Sequence, residues 1–321
     1  MNFNSLTALE ENIIRTGNNG EYEFRKFSIP VKNENLSLQG LFTTPPNRSK
    51  YYYAVEHPKQ RIVLHYTAGQ LRSDLGALTR NDYHVSVAFV IGRSGVIYQL
   101  FPSKFWSGHI GKGIGNTNTG NAQDKVTIGI ELSNYGFLTE KNGNLETYYS
   151  RQKDQNGKPG PLDIYCSLQD KSAYNKIDIP FRQQSFYATY SDAQYDSLII
   201  LLRYLTSQYN IPRKVLPESE RYDATQDVLT FKGIVSHVNY RVDGKWDIGP
   251  GFDWKKVING IQAPSYTPLF NSLENAGANT RFENTREAIF SEEQLEVFAP
   301  EAKDASFEDE EYEELPVSIE N

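Results

Sequence analysis

Apolar positions in this chain gather in short runs, separated by polar stretches rich in glycine, asparagine and lysine. Arg61-Ile62-Val63-Leu64-His65-Tyr66 is a compact run of the kind that forms a buried strand. Val85 to Ile91 is a second, and after the turn Arg93-Ser94-Gly95 the run Val96 to Phe101 returns as its hairpin partner. Val126 to Leu132 is a further strand, and Phe24 to Val31 and Leu36 to Phe42 read as short strands ahead of the turn Thr44-Pro45-Pro46-Asn47. From Ser191 the period changes: Tyr195, Leu198, Ile199, Leu202, Leu205 and Tyr209 recur at helical spacing, Ser191 suits the N-cap, and Asn210 and Pro212 stop the helix. Ile234 to His237 and a short helix over Phe252 to Ile261 complete the pattern. Strands with interspersed helices predict an α/β domain with a mixed central sheet flanked by helices.

The same pattern divides the chain. Residues 1–56 read as an N-terminal extension packed on the main domain, 57–262 as the main domain, and 263–321 as a linker and tail. Between Gly136 and Phe186 the sequence is polar, with Asn156-Gly157-Lys158-Pro159-Gly160-Pro161, and reads as a long insertion lying over a surface. The formal net charge of -7 is uneven, since Arg281 onward carries about -11 and the remainder is mildly positive. Such a block repels itself and buries little, so the tail is expected to be disordered or bound to a docking partner, for which Phe290, Leu295, Val297, Phe298 and Phe307 are apolar handles.

Composition removes several classes. A net negative chain is a poor general nucleic-acid binder. No apolar run approaches the roughly 18 to 20 residues of a membrane span. Met1 to Thr7 lacks the basic and apolar regions of a secretory signal, so the expectation is synthesis in the cytoplasm and delivery by another route. Cys166 is the only cysteine, which excludes an intrachain disulfide and a cysteine-built structural zinc site.

The candidate chemistry lies in the histidines. Of His57, His65, His84, His109 and His237, two end apolar runs: His65, before Thr67-Ala68-Gly69, and His237. The loop Gly244-Lys245-Trp246-Asp247-Ile248-Gly249-Pro250-Gly251-Phe252-Asp253-Trp254 adds carboxylates. Two histidines and one carboxylate can make a three-ligand zinc site, since catalytic zinc keeps its fourth position open. Any one histidine alone is more often an ordinary core or surface residue. Asp243 and Asp253 compete with Asp247, although Asp253, just ahead of a helix, is well explained as its N-cap.

Taken in order, these segments resemble the zinc-dependent N-acetylmuramoyl-L-alanine amidase family, which includes amidase-type phage lysozymes, peptidoglycan-recycling amidases and animal peptidoglycan recognition proteins. Ile62 to Gly69 is similar to the first ligand strand, Val85 to Ile91 with Gly95 to Gln99 to the next hairpin, Trp106-Ser107-Gly108-His109 to a Trp/His/Gly stretch, Thr127-Ile128-Gly129-Ile130-Glu131-Leu132 to the strand of a catalytic glutamate, and Ser236-His237 with Lys245 to Trp254 to the closing motif. The resemblance runs from about His57 to Ile261. It implies a peptidoglycan-recognition-type α/β fold and hydrolysis of the amide between N-acetylmuramic acid and L-alanine. It implies His65, His237 and Asp247 as ligands of Zn2+, Asp standing where many relatives have Cys. Glu131 is implied as the general base that takes a proton from the attacking water and passes it to the leaving amine. Lys245 is implied as the cation that stabilises charge on the carbonyl oxygen. His109, Trp106 and Tyr66 are candidates for contacts with substrate.

Two positions depart from the family pattern. Ala88 stands where many relatives carry His, and Val87 where some phage enzymes carry a catalytic Tyr, which favours the mechanism built on Glu131. The insertion is unusual and can cover or extend the substrate groove. Alternatives to a lytic enzyme, whether from a phage or a contractile injection system, are a non-catalytic peptidoglycan-binding module and a cytoplasmic amidase that recycles muropeptides.

Overall fold

The computed structural model describes residues 6–8, 10, 12–13, 16, 22–31, 34–43, 50–153 and 156–262. The acidic tail and its docking handles lie outside the described residues. The N-terminal extension forms a hairpin of β1 (Glu23–Val31) and β2 (Glu34–Thr43). Strands β3 (Arg61–Tyr66), β4 (Phe89–Ile91), β5 (Ile97–Gln99), β6 (Thr127–Leu132) and β12 (Gly233–Ser236) belong to the main domain. Together they make one mixed sheet in the order β1-β2-β5-β4-β6-β3-β12. Parallel pairing joins β2 to β5, β4 to β6, β6 to β3 and β3 to β12. The strand expected from Val85 shortens to Phe89–Ile91, while Val85 itself makes only an isolated bridge to Gly108.

Alternation along the central strands creates two faces. Ile62 and Leu64 of β3, Ile128 and Ile130 of β6 and Ile234 of β12 enter the main core. That core is closed by helices α1 (Leu71–Leu78), α2 (Asp192–Gln208) and α3 (Trp254–Ile261). Helix α2 starts as its sequence predicts: Ser191 Oγ accepts from Gln194 N at 3.0 Å, and Gln194 Oε1 accepts from Ser191 N at 3.2 Å. Asp253 caps α3, accepting from Lys256 N at 2.9 Å. The opposite face receives Val63 and Val235, packed with Ile110, Leu216, Val228 and Tyr240. His65 and Glu131 fall on this second face by the same alternation. Among the described residues no helix is long and apolar enough to cross a membrane.

The insertion is more ordered than its composition implies. It folds into an antiparallel sheet of β7 (Phe137–Lys141), β8 (Asn144–Glu146), β9 (Ile164–Ser167), β10 (Tyr174–Phe181) and β11 (Gln184–Ala188), in the order β10-β11-β7-β8-β9. Its small core uses Tyr135, Tyr165 and Tyr174 beside Leu138, Leu145, Cys166 and Ala188, and receives Leu6 from the N-terminal extension. Tyrosine supplies apolar area with a polar tip, so a sheet can bury one face without a conspicuous apolar run.

Candidate metal centre

Three of the expected ligands meet. His65 ends β3, His237 opens a 3-10 turn directly after β12, and Asp247 lies on the loop before α3. His65 Nδ1 is 3.0 Å from both His237 Nδ1 and Asp247 Oδ2, and His237 Nδ1 is 2.9 Å from Asp247 Oδ2. All three residues are buried. Among the described residues they form the one cluster of His, Cys and carboxylate donors close enough to hold a metal ion.

The hydrogen bonds behind the cluster set its chemistry. His237 Nε2 is 3.1 Å from Ile110 O, a carbonyl that only accepts, so Nε2 carries the proton and Nδ1 is bare. The chain behind His65 is longer. Thr127 Oγ1 donates to Gln123 O at 2.9 Å, which leaves it an acceptor for His109 Nε2–H, also at 2.9 Å. His109 Nδ1 therefore accepts from His65 Nε2–H at 2.9 Å, and His65 Nδ1 is bare as well. Burial favours the neutral form of His65 and His109, holding His65 down at about 4 and His109 well below the usual imidazole range. Two lone pairs and a carboxylate oxygen thus face one another with no proton between them, an arrangement that calls for a cation.

Strand β6 serves this centre with alternate residues. Thr127 anchors His109. Gly129 leaves room for its ring, because a Cβ there would lie 3.2 Å from His109 Cγ and 2.6 Å from Val87 Cγ1. Glu131 stands in register beside His65. Its Oε2 is buried without a hydrogen-bond partner. Burial, reinforced by Asp247 and Asp74 and opposed by Lys245, pushes its carboxyl well above the usual range. Lys245, two residues before Asp247, is close enough for its charge to act on both Glu131 and His65.

The three candidate substrate contacts are enclosed. His109 lies behind His65, its side chain 5% exposed. Trp106 is buried with one face stacked on Tyr53 at 4.2 Å, and Lys125 Nζ lies 5.2 Å from its ring. Tyr66 is buried over Gly136, where a Cβ would fall 2.0 Å from the tyrosine ring. Val87 and Ala88 are core residues. Three supports of the centre are not evident from the sequence pattern. Asp124 accepts from His109 N at 2.8 Å and Ile110 N at 3.0 Å, fixing the segment whose carbonyl orients His237. Asn239 accepts from Ser236 N at 2.9 Å and donates to the carbonyls of Glu220, Arg221 and Asp223 at 3.0 to 3.1 Å, which fixes the turn of His237. Thr127 is the third, and it does leave a signal: Thr127, Gly129 and Glu131 alternate on one face of a strand that the apolar pattern marks.

Residues 56–251 match the family described as N-acetylmuramoyl-L-alanine amidase. No curated protein matches the chain. Similar solved structures include the amidase AmiD from E. coli, in complex with anhydro-N-acetylmuramic acid-L-Ala-D-gamma-Glu-L-Lys, at 19% identity and TM-score 0.38 over 73% of this chain and 65% of that one. The chain thus spans slightly less than two thirds of AmiD. A selenomethionine derivative of AmpD is similar at 17% identity and TM-score 0.35, over 67% of this chain and 92% of that one. AmpDh3 from Pseudomonas aeruginosa is similar at 17% identity and TM-score 0.36, over 68% of this chain and 65% of that one. The sequence match, which covers more than half of the 321 residues, decides the assignment: the chain belongs to the N-acetylmuramoyl-L-alanine amidase family.

Proposed function

We propose that this protein is a zinc-dependent amidase that hydrolyses the bond between N-acetylmuramic acid and L-alanine in peptidoglycan. The observation that carries the reading is the convergence of His65 Nδ1, His237 Nδ1 and Asp247 Oδ2 within 3.0 Å, with both ring protons committed elsewhere. Two neutral imidazoles and one carboxylate are a donor set that suits zinc and leaves room for a fourth ligand. Zinc bound there would supply Lewis acidity, polarising an amide carbonyl and making water a better nucleophile.

The chain's own groups carry the protons and part of the charge. Glu131, whose Oε2 has no hydrogen-bond partner and which stands beside His65 in register, accepts a proton as water adds to the carbonyl carbon. The same proton passes to the nitrogen of L-alanine as the carbon–nitrogen bond breaks, so the products are a free carboxylate on the muramic acid and a free amine on the peptide. Lys245 supplies positive charge for the oxygen that gains electron density. Both groups are partly buried, and the lower dielectric there strengthens both effects.

The test is digestion of purified sacculi by zinc-loaded protein, following newly released L-alanine amino termini by mass spectrometry. An EDTA-treated sample and Glu131→Ala run in parallel, and soluble anhydro-muropeptides are offered as a second substrate. Release that disappears in both controls is expected. No release from either substrate by protein that holds zinc and binds sacculi would replace the enzyme with a binding module.

A further inference from the structure

The loop that brings Lys245 and Asp247 to the metal centre has no regular secondary structure between Arg241 and Gly251. The insertion grips it along its length. The Arg182 guanidinium, at the tip of the β10–β11 hairpin, reaches two carbonyls of the loop: Nη1 donates to Lys245 O, and Nη2 to Arg241 O at 2.7 Å. The grip is reciprocal, since Trp246 Nε1–H donates back to Arg182 O at 3.1 Å. Phe137 of β7 packs its ring 4.7 Å from that of Trp246. Further along, Asn175 Nδ2 donates to Gly251 O at 2.9 Å. Tyr187 presses so closely on the same glycine that a Cβ would lie 2.5 Å from Tyr187 Cβ.

The hairpin tip is built in an unusual way for this purpose. Arg182 and Gln183 have φ of 47° and 67°, a left-handed pair that two-residue hairpins normally fill with Asn and Gly. Neither residue favours that backbone, and Arg182 occupies the place from which a planar fork spans two carbonyls. Lysine, with one ammonium on a flexible stem, lacks that fork.

We propose that the insertion is a clasp on the closing loop, with Arg182 as the positioning residue that sets Lys245 and Asp247 against His65 and His237. The proposal rests on Asp247 being a zinc ligand, as proposed for the function. It assigns the insertion a task inside the metal centre: the third ligand is held by a sheet outside the main domain's own.

The test compares wild type, Arg182→Asn, Gln183→Gly and Asp247→Ala. Asn suits the left-handed turn, so Arg182→Asn removes the fork and keeps the hairpin, and Gln183→Gly relaxes the turn and keeps the fork. Hydrogen exchange of the metal-free proteins reads the loop amides 241–251 against those of β10 and β11. Competition with a chromophoric chelator reads zinc affinity. In Arg182→Asn the loop amides are expected to exchange at least about tenfold faster with the hairpin still protected. Its zinc affinity is expected to fall about tenfold, as for other groups that orient a ligand. Gln183→Gly is expected to match wild type in both. Arg182→Asn with zinc affinity within twofold of wild type overturns the clasp, whether or not the loop exchanges faster. Equal zinc uptake by wild type and Asp247→Ala overturns the zinc reading instead, and with it the link from clasp to metal.

Discussion

Thr127→Val isolates the chain of hydrogen bonds behind His65, because it removes a hydroxyl and keeps the shape. In the wild type Thr127 Oγ1 accepts from His109 Nε2–H at 2.9 Å while donating to Gln123 O. Valine leaves that buried N–H without its hydrogen bond, the Asp124 Oδ1 oxygen lying too far off at 3.9 Å, at a cost of about 1–3 kcal/mol. The ring can escape the cost only by moving its proton to Nδ1. There it would meet His65 Nε2–H across the present 2.9 Å, so His65 must move its own proton to Nδ1, into the metal site. Either way zinc binding suffers: the ring is unsatisfied, or the ligand atom is protonated. The expected loss is about 10- to 100-fold in zinc affinity, the usual range for partners that fix a histidine ligand. Chelator competition measures it, and urea unfolding of the metal-free protein reads the stability cost separately. Thr127→Ser restores the hydroxyl and is expected to recover most of the affinity. The tautomer argument fails if Thr127→Val is destabilised as expected but takes up zinc as tightly as wild type.

Other predictions concern the charges that tie the strand ends together. Arg93 is buried and donates to Glu10 Oε1 at 2.9 Å, Ser133 Oγ at 3.0 Å and Gly69 O at 2.9 Å. Arg93→Met strands Glu10 and is expected to cost about 3–5 kcal/mol in denaturant unfolding, with Glu10→Gln added to it recovering part of the loss. Asp74 is pushed up to about 6 by burial, against Arg93 and its hydrogen bonds with Thr67 and Ser133. A carboxyl whose folded value lies above its unfolded one contributes stability that is full below about 3.8 and is lost as pH rises through about 6. Urea midpoints of Asp74→Asn should therefore fall less than those of wild type between pH 4 and pH 7, and an equal fall would refute the assignment. Gly129→Ala sets a methyl 2.6 Å from Val87 Cγ1 and 3.2 Å from His109 Cγ, so a loss of about 1–3 kcal/mol in thermal or urea unfolding is expected, with weaker zinc binding beside it.

The parts of the fold legible in the sequence are those where one local signal decides. Strand β3 is six residues, all buried, and its apolar run says so. Helix α2 has its capping box, its period and its stop within one stretch. The cluster of His65, His237 and Asp247 is legible for a different reason: family order supplies a proximity that no spacing along the chain could, since 172 residues separate the two histidines. The alternation of Thr127, Gly129 and Glu131 marks a face of β6, but the partner of Thr127 is not legible, since His109 reaches it only through the fold. His109 itself reads from sequence as a contact for substrate, and only the bonds on both its nitrogens place it behind His65.

The insertion shows why a polar stretch need not be a loop. Asn142-Gly143, with φ of 51° and 77°, is the dipeptide that most favours a two-residue hairpin, and it joins β7 to β8 as that chemistry dictates. The flanking strands lack an apolar alternation because tyrosine does the burying and because β10 is largely exposed between its ends. A second hairpin turns on Arg182-Gln183, which no turn rule selects. Where local preference and observed backbone disagree in this way, the compensation must come from elsewhere in the fold. Here it is visible as two loop carbonyls held by one guanidinium. A residue ill suited to its turn is thus among those that join the insertion to the loop carrying Asp247. An arginine at a left-handed hairpin tip gives up local stability, and there both its fork and its own carbonyl bond to the loop that carries Lys245 and Asp247.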